Sequence, residues 1–403
     1  MLSEHERKAQ EPIQLDGEFS RDPHAMYRRL RAGGPVRPVI LPDDRPGWLV
    51  TSYEDARRLL ADARLSKDVT RAIGLFPPGT ARGYESPLTA GTLMADPPDH
   101  TRLRRLVGKV FTARAVERLR PRIEQAADDL LDAMRAGATI DLLDAYALPL
   151  PITVICELLG VPVADQDDFR DWTLPFVTIT TPEELAEAAQ RLTAYLIALI
   201  DGKQASPGSD LLSELVQVSD EGSRLSPDEA LSMSFLLLVV GFETTVNLIA
   251  NGVLALLAHP EQLALLRSEP SLLPAAIEEV LRFDGPGHVS TLRFTTEPVR
   301  VGEAEIPAGQ FVHISLLAAN RDERQYTDPD RFDITRQPAG HLALGHGIHH
   351  CVGAPLARIE GQIAIGRLLS RFPDLALDGD HGTLHWRDST LIHGLSSLPV
   401  RVS

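Results

Sequence analysis

The chain has 403 residues, 43% of them hydrophobic, and a formal net charge of −16. That is enough apolar mass for a large core and too much for disorder. The acidic balance speaks against nucleic acid as a partner, which rewards a basic face. The opening stretch "MLSEHERKAQEPIQLDGEFS" is polar, so neither a signal peptide nor an anchor is expected. No uninterrupted apolar run reaches the roughly 18 residues of a membrane span. With only Cys156 and Cys351, a disulfide framework is not expected. The expectation is a soluble, cytoplasmic, monomeric globular protein without a nucleic-acid or membrane partner.

Along the chain, helical patterns come first. "DPHAMYRRLRAG", "SYEDARRLLAD" and "PPDHTRLRRLVGKVF" carry apolar residues at three- and four-residue spacing. "RAVERLRPRIEQAADDLLDAMRAG" continues the pattern, with Pro121 as a break or a first-turn residue. The longest predicted helix opens on Ser226, Pro227, Asp228 and Glu229, a start signature, and ends before Pro260. About 30 residues of helix span roughly 45 Å. Its middle is apolar on nearly all faces, which predicts a buried helix. Strand signals are fewer: "RPGWLVTS", then "STLRFTTEPVRVGEAEIPAGQFVHISL" with a Pro-Ala-Gly turn, then "TLHWRDSTLIHGLSSLPVRV" as a terminal strand pair. Residues 320–347 read as a long polar loop, which in a compact domain is usually functional. No repeat or linker divides the chain, so one mixed domain over residues 1–403 is expected.

The stretch "LALGHGIHHCVGAPLAR" ends that loop. His346, His349, His350 and Cys351 have donor atoms suited to zinc, but adjacent residues seldom reach one ion and the usual ligand spacings are absent. A bland buried cysteine is the reading that suits Cys156, on the apolar face of "VICELLG". Cys351 stands instead where a Gly-rich loop enters a helix N-terminus, where free amide groups and the helix dipole stabilise a thiolate. Gly347 and Gly353 let backbone lie close to something flat. An anionic sulfur so placed suits axial ligation of haem iron.

At this point the sequence resembles the cytochrome P-450 family, in its soluble bacterial class. The haem signature matches at Gly347, Cys351 and Gly353, with Leu344 where the family usually has phenylalanine. "HTRLRR" from His100, "VGFETT" from Val240 to Thr245, and Glu279-Val-Leu-Arg282 agree with three further motifs in the family's order. The resemblance covers nearly the whole chain. It implies a mainly α fold with small β-sheets and haem b between the long distal helix and the cysteine loop. Cys351 would bind the iron, while His100, Arg104, Arg293 and His349 would bind the propionates. Glu243 and Thr244 would serve proton delivery, with Gly241 and Thr244 opening the helix locally. Glu279, Arg282 and Arg331 would form a structural triad fixing the cysteine loop. His346 and His350 would have loop-structural roles.

The resemblance further implies a monooxygenase acting on a bulky, mostly apolar guest: a macrolide, another polyketide, a terpenoid or a sterol-like molecule. By analogy the guest meets Thr70 to Leu93, Trp172 to Pro182, Phe235 to Thr244, Gly287 to Leu292 and Leu391 to Gly394. Val240, Gly241, Val289 and His393 are the pocket candidates. Val240, where the family commonly has alanine or glycine, would narrow the space over the iron. No GxGxxG motif is present, so electrons are expected from a ferredoxin and its reductase. From Arg102 to Arg122 there are eight basic residues against Glu117 alone, which predicts a docking patch for an acidic ferredoxin. A peroxide-driven peroxygenase and a haem-thiolate sensor without turnover are the alternatives. The Glu243-Thr244 pair speaks against the peroxygenase.

Overall fold

The structure is a computed structural model and describes residues 11–15, 19, 23–42, 44–76, 94–173, 175, 181–337 and 340–403. In chain order its principal elements begin with β1 (Ile13–Gln14), α1 (Pro23–Ala32), β2 (Val36–Ile40), β3 (Pro46–Val50), α2 (Tyr53–Leu60) and β4 (Leu65–Ser66). Then come α3 (Asp99–Val110), α4 (Arg120–Asp132), α5 (Pro149–Leu159), α6 (Pro182–Ala205), α7 (Leu211–Gln217), α8 (Pro227–Ala258) and α9 (Leu273–Asp284). The last are β5 (Phe294–Thr295), β6 (Val299–Val301), β7 (Ala304–Ile306), β8 (Val312–Ile314), α10 (Leu316–Asn320), α11 (Ala354–Arg371), β9 (Ala376–Leu377) and β10 (Pro399–Arg401). Contacts divide the chain into two units, neither continuous in sequence.

The first unit draws on residues 1–82, 247–351 and 375–401. Its sheet runs β1-β2-β3-β8. β2 and β3 are antiparallel with Val36 opposite Val50, and β8 joins β3 in parallel with Val312 opposite Trp48. Helix α2 starts at Ser52, whose side chain accepts from the Asp55 amide, filling an orphan donor of the first turn. Its 53, 56, 59, 60 spacing puts Tyr53, Ala56, Leu59 and Leu60 in one apolar cluster with Val36, Val50, Val312 and Ile314. Each such buried aliphatic side chain contributes about 1.5–3 kcal/mol. A second cluster joins Tyr27 and Leu30 of α1 to Phe19, Leu49, Val289 and Leu317. The predicted terminal strand pair is only half present. β10 pairs with β9, outside the predicted stretch, while within it Trp386 and Leu395 form an isolated bridge. Residues 389–393 pair with 286–289 instead: His288 N–H donates to Leu391 O at 2.9 Å and His393 N–H to Pro286 O at 2.8 Å.

The second unit, from residues 83–246, 352–374 and 402–403, is helical. Pro121 lies in the first turn of α4, where its missing N–H costs nothing, so it starts that helix and does not break it. Arg367 of α11 pairs with Glu124 and Asp128 of α4 at 3.1 and 3.2 Å. α5 ends at Gly160, in the left-handed region with φ of 62°, and Thr181 and Glu184 close a capping box at the start of α6. α8 is an unbroken helix of 32 residues. By length and composition it is apolar enough to cross a membrane, which counting uninterrupted apolar residues missed. Of its most apolar window 69% is buried in the protein, as in a core helix.

Candidate functional site

Neither cysteine is in a disulfide, and their surroundings separate them. Cys156 is buried on α5, and burial, helped by the neighbouring Glu157 charge, pushes its thiol up to about 12. A thiol held protonated is a poor ligand. Cys351 is exposed. Its N–H donates to Leu344 O at 2.8 Å, Gly345 N–H to Leu342 O at 2.8 Å and His350 N–H to Gly347 O at 3.1 Å. Leu342 N–H is held by Asn320 Oδ1 at 2.6 Å. Gly345 and Gly347 both have φ of 74°, a region costly for other L-residues. A Cβ on Gly347 would come within 3.0 Å of Ala61 Cα and Leu60 O. The fold of the loop against the end of α2 therefore demands this glycine before any cofactor does. Zinc finds no support around Cys351: among the described residues, the donors close enough to share an ion are those of His24, Asp284 and His393.

In the same unit, Glu279 and Arg282 of α9 are both fully buried and form a two-pronged pair, Nε to Oε2 at 2.7 Å and Nη2 to Oε1 at 2.8 Å. Arg282 also donates to Asn320 O, Pro329 O and Arg331 O at 3.0, 2.9 and 3.2 Å. The third cation of the triad is not Arg331. The Arg331 side chain is 64% exposed and faces Asp333 at 3.6 Å, giving the cluster only its carbonyl. Arg336, 15% exposed, donates from Nε to Glu279 Oε1 at 3.4 Å and takes the place. Two arginines lie five residues apart in a polar loop, and composition alone does not tell them apart.

Arg293 is 4% exposed in this unit, and its carbonyl accepts from Val312 N–H at 2.9 Å. His349 is half-buried, in the 3-10 turn that precedes Cys351. Two pocket candidates are corrected. Val289 is 4% exposed within the second apolar cluster. His393 is also 4% exposed, donates from Nε2 to Asp284 Oδ1 at 3.0 Å and stacks on Trp386 at 4.1 Å. Both are framework residues.

In the helical unit, His100 of α3 is 2% exposed, and Arg104, one turn on, is half-buried. Glu243 and Thr244 of α8 are half-buried. The hydroxyl that bonds back to the preceding turn belongs to Thr245, donating to Gly241 O at 3.1 Å, and α8 stays helical there. A Cβ on Gly241 would meet Ile155 Cδ1 of α5 at 3.1 Å, so a larger residue there needs Ile155 to give way. The Val240 side chain lies outside the described residues, as do parts of the expected guest-contacting segments, residues 77–93, 174 and 176–180.

Sequence reasoning missed Glu360 of α11, which is 2% exposed and hydrogen-bonded to Thr245. Burial pushes its carboxyl up to about 8 against the opposing effect of that bond. The signal was present: it is the one acidic residue in "APLARIEGQIAIGRLLSR". The predicted basic patch is not bare either. Arg105 pairs with Asp220 at 3.1 Å, Arg118 with Glu214 at 3.1 Å, and Arg102, Lys109 and Arg120 with Glu229, Asp220 and Glu117.

These residues fit a haem: an accessible sulfur in a glycine-shaped loop, and buried basic groups of the kind that accept carboxylates. The sequence model of the Cytochrome P450 family matches residues 151–381. The chain is 50% identical over 394 residues to Cytochrome P450 107B1 of Saccharopolyspora erythraea, covering 96% of this chain and 97% of that one. It is 48% identical over 387 residues to a vitamin D(3) 25-hydroxylase of Pseudonocardia autotrophica, covering 96% and 95%. The solved structure of the ligand-free P450 monooxygenase TamI superposes with a TM-score of 0.92 at 46% identity, covering 99% and 96%. The chain thus belongs to the cytochrome P-450 family and has its fold, as a monooxygenase whose cofactor is haem held by a cysteine thiolate.

Proposed function

We propose that residues 1–403 form one monooxygenase domain in which the Cys351 thiolate would hold the iron of haem b. The observation that carries this is the contrast between the exposed Cys351 sulfur and the buried, protonated Cys156 thiol. His100, Arg104, Arg293 and His349 hold the propionates by charge-assisted hydrogen bonds. Bound haem supplies the oxidation, placing one atom of O2 in the substrate and the other in water with two electrons and two protons. The Thr244 hydroxyl and the Glu243 carboxylate would supply the protons, Glu243 passing them to Thr244 through water. The Glu279, Arg282 and Arg336 cluster holds the loop that carries Cys351 still.

The guest is a bulky, mostly apolar small molecule of sterol-like, terpenoid, macrolide or other polyketide type, hydroxylated in a secondary-metabolic pathway. The vitamin D(3) relative supports the sterol-like end of that range. Electrons come from a ferredoxin and ferredoxin reductase, and the enzyme works in the cytoplasm. The test is spectroscopic. Cys351→His keeps haem but loses the thiolate-type spectrum of the reduced carbonyl complex, while Cys156→Ser keeps it. Loss of that spectrum in Cys156→Ser overturns the assignment. Product formed with ferredoxin, its reductase and NADPH separates a monooxygenase from a sensor.

A further inference from the structure

Asp284, the last residue of α9, is a junction of three chain segments. Its Oδ1 accepts from His24 Nε2 of α1 at 2.9 Å and from His393 Nε2 at 3.0 Å. Asn251 Nδ2 ties the backbone at the same place, donating to Asp284 O and to His393 O, both at 3.0 Å. Trp386 lies flat on His393, with ring centroids 4.1 Å apart and planes 9° apart. From this junction run residues 286–289 and 389–393, cross-tied by His288 N–H to Leu391 O at 2.9 Å, by His393 N–H to Pro286 O at 2.8 Å and by the Gly287–Ile392 bridge.

The same groups have the donor types of a divalent-cation site. Their arrangement is that of a hydrogen-bond hub instead. Both Nε2–H groups are already spent on one carboxylate oxygen, and Arg321 Nη2 stands 4.0 Å from it, a repulsive neighbour for a second cation. Burial, with the Arg321 charge adding to it, holds the His24 imidazole down to about 4. Near neutral pH it is therefore an uncharged donor. Remove it, and a buried carboxylate is left with one fewer donor. Such a group re-pairs with what remains, and what remains is His393 and Arg321. His393 moves the 389–393 segment with it, and the cross-ties carry that shift to 286–289.

We infer that His24 is a specificity-determining positioning residue, which acts through Asp284 on the spacing of segments 287–292 and 391–394 and so on which part of the guest approaches the iron. The inference rests on the proposed function and on the expectation, from the family resemblance, that these two segments border the guest through residues other than the packed Val289 and His393. His24 itself touches no substrate.

The experiment uses the haem-loaded enzyme and two iron-binding probes, imidazole and the bulkier 4-phenylimidazole, each titrated by its Soret shift. In His24→Ala the ratio of the two dissociation constants moves at least about threefold from the parent's, because a displaced segment meets the phenyl ring and not the small ring. In His24→Gln, whose amide N–H reaches the same oxygen, the parent ratio returns. A parent-like ratio in His24→Ala, with only a lowered melting temperature, overturns the inference and leaves His24 as packing. Absence of any Soret shift in the parent overturns the proposed function, and this inference with it. The two failures are read from different samples.

Discussion

Thr245 and Glu360 are both buried and joined by a hydrogen bond. The Thr245 hydroxyl also reaches Gly241 O, to which it donates at 3.1 Å. Its bond to the Glu360 carboxyl favours the charged form, but burial outweighs it and pushes that carboxyl from 4.5 up to about 8.

A pH dependence with a definite sign follows. Between about 4.5 and about 8 the folded chain holds the Glu360 proton while the unfolded chain has lost it. The folded state then binds more protons, so this contribution to stability falls as pH rises through that window. Glu360→Gln keeps an N–H donor and removes the titration. Its melting temperature should vary less between pH 5 and pH 8 than the parent's, and at pH 8 it should be more stable, on the order of a few kcal/mol. Differential scanning fluorimetry across pH checks this, and parallel parent and variant curves would place the proton elsewhere.

Neighbouring hydroxyls on α8 should behave differently. Thr244→Ala should still accept electrons but release them as peroxide, with peroxide per NADPH rising about tenfold. Thr245→Val loses the bonds to Gly241 and to Glu360, and should cost about 1–3 kcal/mol of stability. Peroxide assay and chemical denaturation tell the two apart.

The corrected triad is testable by a pair of alanine variants. Arg336 donates to Thr327 O at 2.7 Å and Asp328 O at 3.0 Å as well as to Glu279. Arg336→Ala should therefore cost about 1–3 kcal/mol. Arg331→Ala removes only an exposed side chain and should stay within about 0.5 kcal/mol of the parent. Urea midpoints at constant slope measure both.

Arg105 and Lys109 share Asp220, so their charge is partly offset at the surface. If a ferredoxin docks there, Asp220→Asn should speed its electron transfer at low ionic strength and Arg105→Glu should slow it, both effects fading above roughly 0.5 M salt. Stopped-flow reduction rates across salt decide, and identical salt slopes in parent and variants would move the docking face elsewhere.

The parts of this structure legible in the sequence are those whose signals are local. Ser226-Pro227-Asp228-Glu229 announced α8, and the 53, 56, 59, 60 spacing announced the buried face of α2. Gly347 and Cys351 marked the loop by composition. What stayed hidden depends on partners far away in the chain. His393 reads as a polar residue near a substrate until Asp284, 109 residues earlier, takes its Nε2. Arg331 and Arg336 differ only in which way a loop turns. That Ile155 lies beside Gly241, 86 residues earlier, is likewise not written in the spacing of α8.

Glu279 and Arg282 hold the loop after α10 almost wholly by its main chain: the carbonyls of Asn320, Pro329 and Arg331 and the amide of Asp333. Every amino acid carries a carbonyl, and every one but proline an amide. The grip is therefore indifferent to what the loop spells. The loop's exposed residues, Arg324 and Arg331 among them, are free to drift or to be redesigned, with Arg336 and the buried Asp322, Tyr326, Phe332 and Ile334 kept and proline barred from position 333, while the cysteine beyond them stays in place. A buried charge pair that reads only backbone lets the outer surface of this enzyme evolve independently of its chemistry.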